Sequence, residues 1–404
     1  MERFISLLGL FSMVGFAWIF STDKKKIAWK TVGTGIALQL LFGLLILKTS
    51  AGHATFEWAR QFFTSFLGYT NEGSKFLFGS LVDYSKVGFV FATMVLPTII
   101  FMSAVMSILY HMGIMQYVIK ASAWLMVRIM GTSGSESLAA AANIFAGQTE
   151  APLVVKPYIS GMTKSELMAL MTGGMATVAG GVLAAYVVLG IDAGHLLAAS
   201  VMSAPAALVC AKLLNPETET SQTEGTLKIN LPKTSANIVD AAASGAGEGL
   251  KLALNVGAML LAFIALIALL NGMLGSVGGW FGFPALTMEW FCGYLFAPVA
   301  WLLGVPWAEC VQVGVLLGKK LILNEFVAYL DLQKQLTTLS PRAITISTYA
   351  LCGFANFSSV AIQIGGIGTI APDRRKDLAL LGLRSLFGGT LACLMTACVA
   401  GLLI

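Results

Sequence analysis

Apolar residues in this chain come in long runs separated by short polar segments. A membrane-crossing helix needs about 20 mostly apolar residues. Residues 4–20, 32–47, 88–110, 167–189, 195–214, 250–270, 343–364 and 378–404 meet that pattern and predict about eight spans. Between them, residues 55–67 are amphipathic and rich in aromatics, which predicts a helix lying in the interface. Residues 215–233 are the one extended polar stretch and read as a linker between two halves. Residues 235–249, mostly small, read as a surface helix. Trp280, Trp290, Trp301 and Trp307 read as interfacial anchors.

Polar residues interrupt the apolar pattern at two related places. The first runs from Asn143 through Gly147, Gln148, Thr149 and Glu150 to Pro152. The second runs from Leu323 through Asn324 and Glu325 to Tyr329. Helical runs too short to cross the bilayer flank each interruption, so each predicts a re-entrant hairpin with a polar tip. A break in the next span follows each hairpin, at Gly174–Gly181 and at Gly353–Ser359.

Charge orients the pattern. Lys24, Lys25, Lys26 and Lys30 lie between the first two spans, and Arg374, Arg375 and Lys376 between the last two. Basic loops favour the cytoplasm, so both termini are expected outside. Hairpin 1 then enters from the cytoplasmic side and hairpin 2 from the other. Inverted repeats with discontinuous helices meeting at mid-membrane are a hallmark of secondary transporters. Residues 4–20 carry no small-x-small cleavage site before the lysines and are expected to remain as the first span rather than leave as a signal peptide.

Composition agrees. Of 404 residues, 57% are hydrophobic and only 11% charged, against about 25% charged in soluble domains. The chain therefore lacks the charged surface of a water-soluble fold. No basic run interleaved with aromatics points to nucleic acid. The six cysteines are scattered without a C-x-x-C pair, and His53, His111 and His195 are far apart, so neither a redox motif nor a metal cluster is expected. No Ser–His or H-E-x-x-H pattern supports a membrane-embedded hydrolase.

Glu150 and Glu325 are the strongest chemical signals. An acidic side chain at the centre of a membrane helix costs roughly 2.5–3.5 kcal/mol, and intramembrane acids mark substrate or ion paths. Asn143, Thr177, Asn356 and Ser359 offer neutral oxygens beside unwound backbone, which suits a small alkali cation. Phe354 offers a face for a flat ligand.

These same residues resemble the concentrative nucleoside transporter family. The likeness is close at Gly147-Gln148-Thr149-Glu150-Ala151-Pro152, at Asn324-Glu325-Phe326-Val327-Ala328-Tyr329 and at Phe354-Ala355-Asn356-Phe357-Ser358-Ser359, and it extends in order over essentially the whole chain. The chain is similar to the short bacterial form, without the extra N-terminal spans of animal members. The resemblance implies an all-α polytopic membrane protein, a homotrimer in the bacterial plasma membrane, whose transport domain moves like an elevator against a scaffold. It implies a division into scaffold helices (1–130), a first transport repeat (131–214), a linker and surface helix (215–249), a scaffold helix with an interfacial segment (250–304) and a second transport repeat (305–404). Gln148, Thr149 and Glu150 would then address the nucleobase, with Val182 against its face. Glu325, Asn356 and Ser359 would hold the ribose hydroxyls, and Phe354 would border sugar and base. Sodium would be held by the side chains of Asn143 and Thr177 and the carbonyls of Ala146, Thr177 and Val178. Thr177 stands where sodium-coupled members are expected to carry Ser, but it keeps the hydroxyl. The resemblance thus implies a sodium-driven nucleoside symporter with no organic cofactor. Proton coupling and a passive channel are the alternatives.

Overall fold

The computed structural model describes residues 1–224, 235–283 and 285–404, and among them every regular element is a helix. The sequence-predicted linker falls partly outside the described residues, at positions 225–234. Two helices lead, α1 (Glu2–Ile19) and α2 (Trp29–Lys48). The amphipathic stretch predicted at 55–67 belongs to a longer helix, α3 (Ser50–Phe78), capped by the Thr49 hydroxyl, which accepts from the Gly52 N–H.

The rest of the chain is one motif written twice. The first copy is α4 (Leu96–His111), α5 (Ile114–Met130), α6 (Gly134–Asn143), the short turns α7 (Ala151–Val154) and α8 (Lys156–Ile159), α9 (Lys164–Ala176), α10 (Gly180–Val188) and α11 (Ala193–Leu214). The second is α12 (Ile238–Trp280), α13 (Met288–Leu302), α14 (Cys310–Ile322), α15 (Glu325–Lys334), α16 (Pro341–Leu351), α17 (Phe357–Ile370) and α18 (Arg375–Leu403). Helix α6 with α7–α8, and α14 with α15, are the two hairpins. The pairs α9/α10 and α16/α17 are the two broken helices.

The copies are inverted. Arg3 donates to the Ile404 carbonyl, and Arg342, one residue into α16, donates to the Gly304 and Gly401 carbonyls, so both termini and the base of hairpin 2 share one end. At the other end, Arg384 donates to the carbonyls of Phe20 and Leu214, and Arg374 donates to those of Ser160 and Met162 at the base of hairpin 1. The two basic clusters therefore lie together, opposite the termini.

Two differences from the sequence expectation have physical causes. First, residues 235–249 are not a separate surface helix. From Ile238 they run straight into the span at 250–270 as a single 43-residue helix, about 65 Å long at 1.5 Å per residue. Ala241, Gly245, Gly249 and Ala253, one per turn, are buried. A Cβ on Gly249 would meet the Ile100 Cα at 2.8 Å, so α12 packs backbone to backbone on α4, as small-residue stripes permit. Low hydropathy in that stripe hid the helix. Second, seven helical runs rather than eight are long and apolar enough to cross a membrane among the described residues. The stretch predicted at 343–364 is the α16/α17 pair, each half too short alone. Helices α5 and α13 each pack along the first limb of the hairpin that follows.

Candidate functional site

Both hairpin tips and both helix breaks converge. Asn324 caps α15, its Oδ1 accepting from the Val327 N–H, which turns Glu325 into the interior at the first position of that helix. Glu325 is 4% exposed. Its Oε1 accepts from the Tyr186 hydroxyl at 3.1 Å and its Oε2 from Asn356 Nδ2 at 3.0 Å. Asn356 in turn caps α17: its Oδ1 accepts from the Ser359 N–H at 2.9 Å and the Ser358 hydroxyl at 2.7 Å. The Glu325 backbone N–H also reaches its own carboxylate. A carboxylate has about four acceptor positions, so Glu325 keeps capacity for a further donor.

Hairpin 1 reaches the same place. Gln148 Nε2 donates to the Ser359 hydroxyl at 3.0 Å, while Gln148 Oε1 accepts from Gln363 at 3.2 Å. Gln363 also donates to the Met171 carbonyl at 3.0 Å. Glu150 folds back on its own turn, Oε2 accepting from the Gly147 N–H at 3.1 Å. Gln148, Ser359, Asn356 and Glu325 thus form a connected polar chain between the two hairpins. Val182, just past the first break, is buried, Phe354, at the second, is half-buried, and Thr149 lies near Gly366.

The tip of hairpin 1 also seats on the α9/α10 break, with the Gly180 N–H donating to the Phe145 carbonyl at 3.1 Å. Asn143, Ala146, Thr177 and Val178 are all buried there. The Thr177 hydroxyl donates to the Gly173 carbonyl at 2.9 Å, which leaves its lone pairs free to accept. The side-chain amide of Asn143 is 1% exposed, and neither its oxygen nor its nitrogen has a hydrogen-bond partner. A buried amide oxygen without a donor fits a cation ligand, and the oxygen-only donor set fits an alkali ion. No cluster of His, Cys, Asp or Glu that could hold a metal occurs among the described residues.

Access to the site is one-sided. Towards the termini it is covered by Tyr186 and Phe326, whose rings pack edge-on at 5.2 Å, and by Phe91 against Phe326 at 5.3 Å. Helix α10 lies on α4 there, with Gly181 against Ile99 and Ser103. Towards the basic loops, Thr149, Glu150, Leu153 and Phe357 remain exposed, although Glu150 is crowded by surrounding protein. Glu150 also lies within electrostatic reach of Tyr110 on α4 and Glu248 on α12.

Sequence reasoning missed Tyr186, Gln363 and Glu248. Tyr186 follows Val182, and Gln363 follows Ser359, by four positions, so each shares a helical face with a residue already singled out. That spacing was the available signal.

Inverted hairpins, paired helix breaks and a buried polar site between them define a secondary membrane transporter. The chain belongs to the sodium-dependent, concentrative nucleoside transporter family. The family's "Na+ dependent nucleoside transporter" N-terminal and C-terminal regions match residues 8–81 and 195–401, and a "nucleoside recognition" gate region matches 92–192. The chain is 50% identical over 401 residues to the uncharacterized transporter YutK of Bacillus subtilis, covering 98% of each. It is 43% identical to the human sodium/nucleoside cotransporter 1, covering all of this chain and 64% of that protein. Its structure resembles CNTnw in an inward-facing substrate-bound state, with a TM-score of 0.95 at 46% identity over 100% of this chain and 98% of that one. A substituted CNTnw in an outward-facing state matches with a TM-score of 0.96 at 46% identity, over 100% of this chain and 99% of that one. These relatives are transporters, not enzymes.

Proposed function

We propose that the chain imports nucleosides across a bacterial plasma membrane in symport with sodium. The observation that carries the sodium reading is the orphaned amide of Asn143, buried at the meeting of hairpin 1 and the α9 break beside the Thr177 hydroxyl. Sodium bound by Asn143, Thr177 and the carbonyls of Ala146, Thr177 and Val178 ties the hairpin tip to the break. That tie fixes Gln148, Thr149 and Glu150 for the base, with Val182 on its face and Phe354 at the border of base and sugar. Glu325, Asn356 and Ser359 take the ribose. A hydroxyl of the 2′,3′-diol can donate to the acceptor capacity that Glu325 retains, and an analogue lacking the diol leaves it unmet.

With the basic loops in the cytoplasm and the termini outside, the exposed flank at Glu150 and Phe357 faces inward, so the site is open to the cytoplasm. The hairpins enter the membrane from opposite sides. Import then needs the hairpins and broken helices, with α11 and α18 and the helices α1 and α2 packed on them, to slide against α4 and α12, an elevator movement within a homotrimer. Trimerisation is carried by the resemblance and is checked by the mass of the detergent-purified particle.

Counterflow uptake of labelled uridine and adenosine in proteoliposomes tests the reading. Accumulation that requires an inward sodium gradient supports it. Accumulation driven only by a pH gradient transfers the coupling to protons. Equilibration without accumulation makes the protein a channel, and chemical conversion of the nucleoside makes it an enzyme.

A further inference from the structure

Helix α5 joins α4 to the first limb of hairpin 1, with a left-handed glycine at each end, Gly113 (φ +81°) and Gly131 (φ +68°). One of its faces packs on protein: Met115, Ile119, Ala123, Met126 and Met130 are buried, along the hairpin limb. The opposite face is open. Tyr117, Lys120, Trp124 and Arg128 follow one another there at steps of three and four residues, which keeps them on one side of the helix. Tyr117 is 77% and Trp124 55% exposed, and α5 contains no acidic residue.

The cations on this surface pair with rings rather than carboxylates. The Arg128 guanidinium lies over Trp124, 5.8 Å from the ring centroid. The same pairing recurs in the loop between α1 and α2, where the Lys24 ammonium lies 4.5 Å from the centroid of Trp18. The two pairs share the basic-loop end of the molecule, because α5 finishes against α2: a Cβ on Gly35 would stand 2.8 Å from the Met130 methyl. Cations that face inward meet acids, Lys212 with Glu136 and Lys319 with Glu289. Lys24, Lys120 and Arg128 have no ion pair among the described residues.

Water alone would satisfy these cations, but not the large rings between them. The headgroup layer of a bilayer satisfies both, since Trp and Tyr settle at that depth and an amphipathic helix lies in it. Charge then selects the lipid. A zwitterionic headgroup brings a cation along with its phosphate, whereas an anionic one brings only negative charge to basic residues near the surface.

We propose that the outer face of α5, continued by the Trp18–Lys24 pair, is a binding surface for anionic phospholipids of the leaflet on the basic-loop side. Lipid held there fixes α5 in the headgroup layer, and through its methionine face α5 supports the base of hairpin 1. The protein is therefore more stable with anionic lipid than without it. This proposal is independent of which solute and which ion are carried.

The test is native mass spectrometry of the purified full chain in detergent, titrated with phosphatidylglycerol or phosphatidylcholine, alongside melting temperatures in the same mixtures. The wild type is expected to hold phosphatidylglycerol about tenfold more tightly than phosphatidylcholine, and the Lys120→Gln/Arg128→Gln double variant to lose about fivefold per charge removed. Phosphatidylglycerol should raise the melting temperature of the wild type more than that of this variant. Lys120→Arg/Arg128→Lys should behave as the wild type. So should Arg375→Gln/Lys376→Gln, which removes two exposed cations elsewhere at the same end. Size-exclusion profiles identify a double variant that fails to fold, and the single neutral variants then decide. Equal affinity for the two lipids would overturn the proposal. So would an equal loss in the Arg375/Lys376 variant, which reduces the effect to general surface charge. Displacement of the lipid by inorganic phosphate, but not by chloride at the same ionic strength, would also overturn it and make this a site for soluble phosphate. Tight lipid binding that leaves the melting temperature unmoved would remove the support of hairpin 1.

Discussion

The backbone N–H of Phe354 donates to the carbonyl of Thr177 at 3.2 Å. One hydrogen bond thereby joins the unwound segment of the second repeat to that of the first. Cys393 Sγ lies over the same junction, within reach of the carbonyls of both Ala176 and Cys352. Unwound backbone inside a membrane protein must find its partners in protein or in a cavity. Here the two breaks partly satisfy each other, which fixes the hairpin 1 and hairpin 2 sides of the polar site relative to one another.

That crossing depends on Gly353. Its φ is +154°, and a Cβ there would stand 2.9 Å from the Ala176 carbonyl. Gly353→Ala should therefore push the breaks apart, at a cost of about 1–3 kcal/mol, the usual range for overpacking. The expected result is a lower melting temperature in detergent, with both sodium and uridine binding weakened together. A variant that melts like the wild type would show that the crossing is slack.

Glu325→Gln should weaken uridine binding about 10- to 100-fold, since hydrogen bonds to a charged group are worth about 1.5–3 kcal/mol each. Tyr186 and Asn356 both donate to this carboxylate, so the amide nitrogen of Gln also faces a donor it cannot accept from. Expression and monodispersity should hold. The penalty should vanish for 2′,3′-dideoxyuridine, measured as competition against labelled uridine in wild type and variant. An equal penalty for both ligands would place Glu325 away from the ribose.

Much of this site could be read along the chain because its signals are local. Asn324-Glu325 and Asn356-Phe357-Ser358-Ser359 are each an N-cap followed by a helix start, and an acid or amide in apolar sequence stands out. The breaks at 177–179 and 352–356 were legible as Gly and hydroxyl residues inside spans. What stayed hidden depended on distant partners. Gln363 meets Gln148 from 215 positions away, and Tyr186 meets Glu325 from 139 positions away. The continuity of α12 through Gly245 and Gly249 was hidden for another reason. Small residues carry little hydropathy, and they hold the helix by letting α4 approach.

Gln363 should set base preference without touching the base. By donating to Gln148 Oε1 and to the Met171 carbonyl, it fixes which end of the Gln148 amide faces Ser359. Gln363→Leu leaves that amide free to turn over, presenting donor and acceptor in either order. The ratio of adenosine to uridine affinity should then move about three- to tenfold, within the worth of one neutral hydrogen bond. The sodium concentration giving half-maximal binding should stay nearly constant. A change in sodium affinity with an unchanged base ratio would assign Gln363 to the cation side instead.

Asn143→Ala separates a ligand from a structural residue. The Asn143 amide makes no hydrogen bond within the protein, so its removal costs the sodium-free fold no hydrogen bond and relieves a buried, unpaired polar group. In sodium-free buffer the variant should therefore melt at the wild-type temperature or slightly above it. Sodium that binds only the folded state raises stability in proportion to the logarithm of its concentration above the dissociation constant. The wild type should consequently melt progressively higher as sodium is added, and Asn143→Ala should lose most of that rise. Uridine binding should fall in parallel, because hairpin 1 loses the ion that seats Gln148 and Glu150. A variant already destabilised without sodium, yet still raised by it as steeply as the wild type, would make Asn143 a packing residue and move the ion elsewhere.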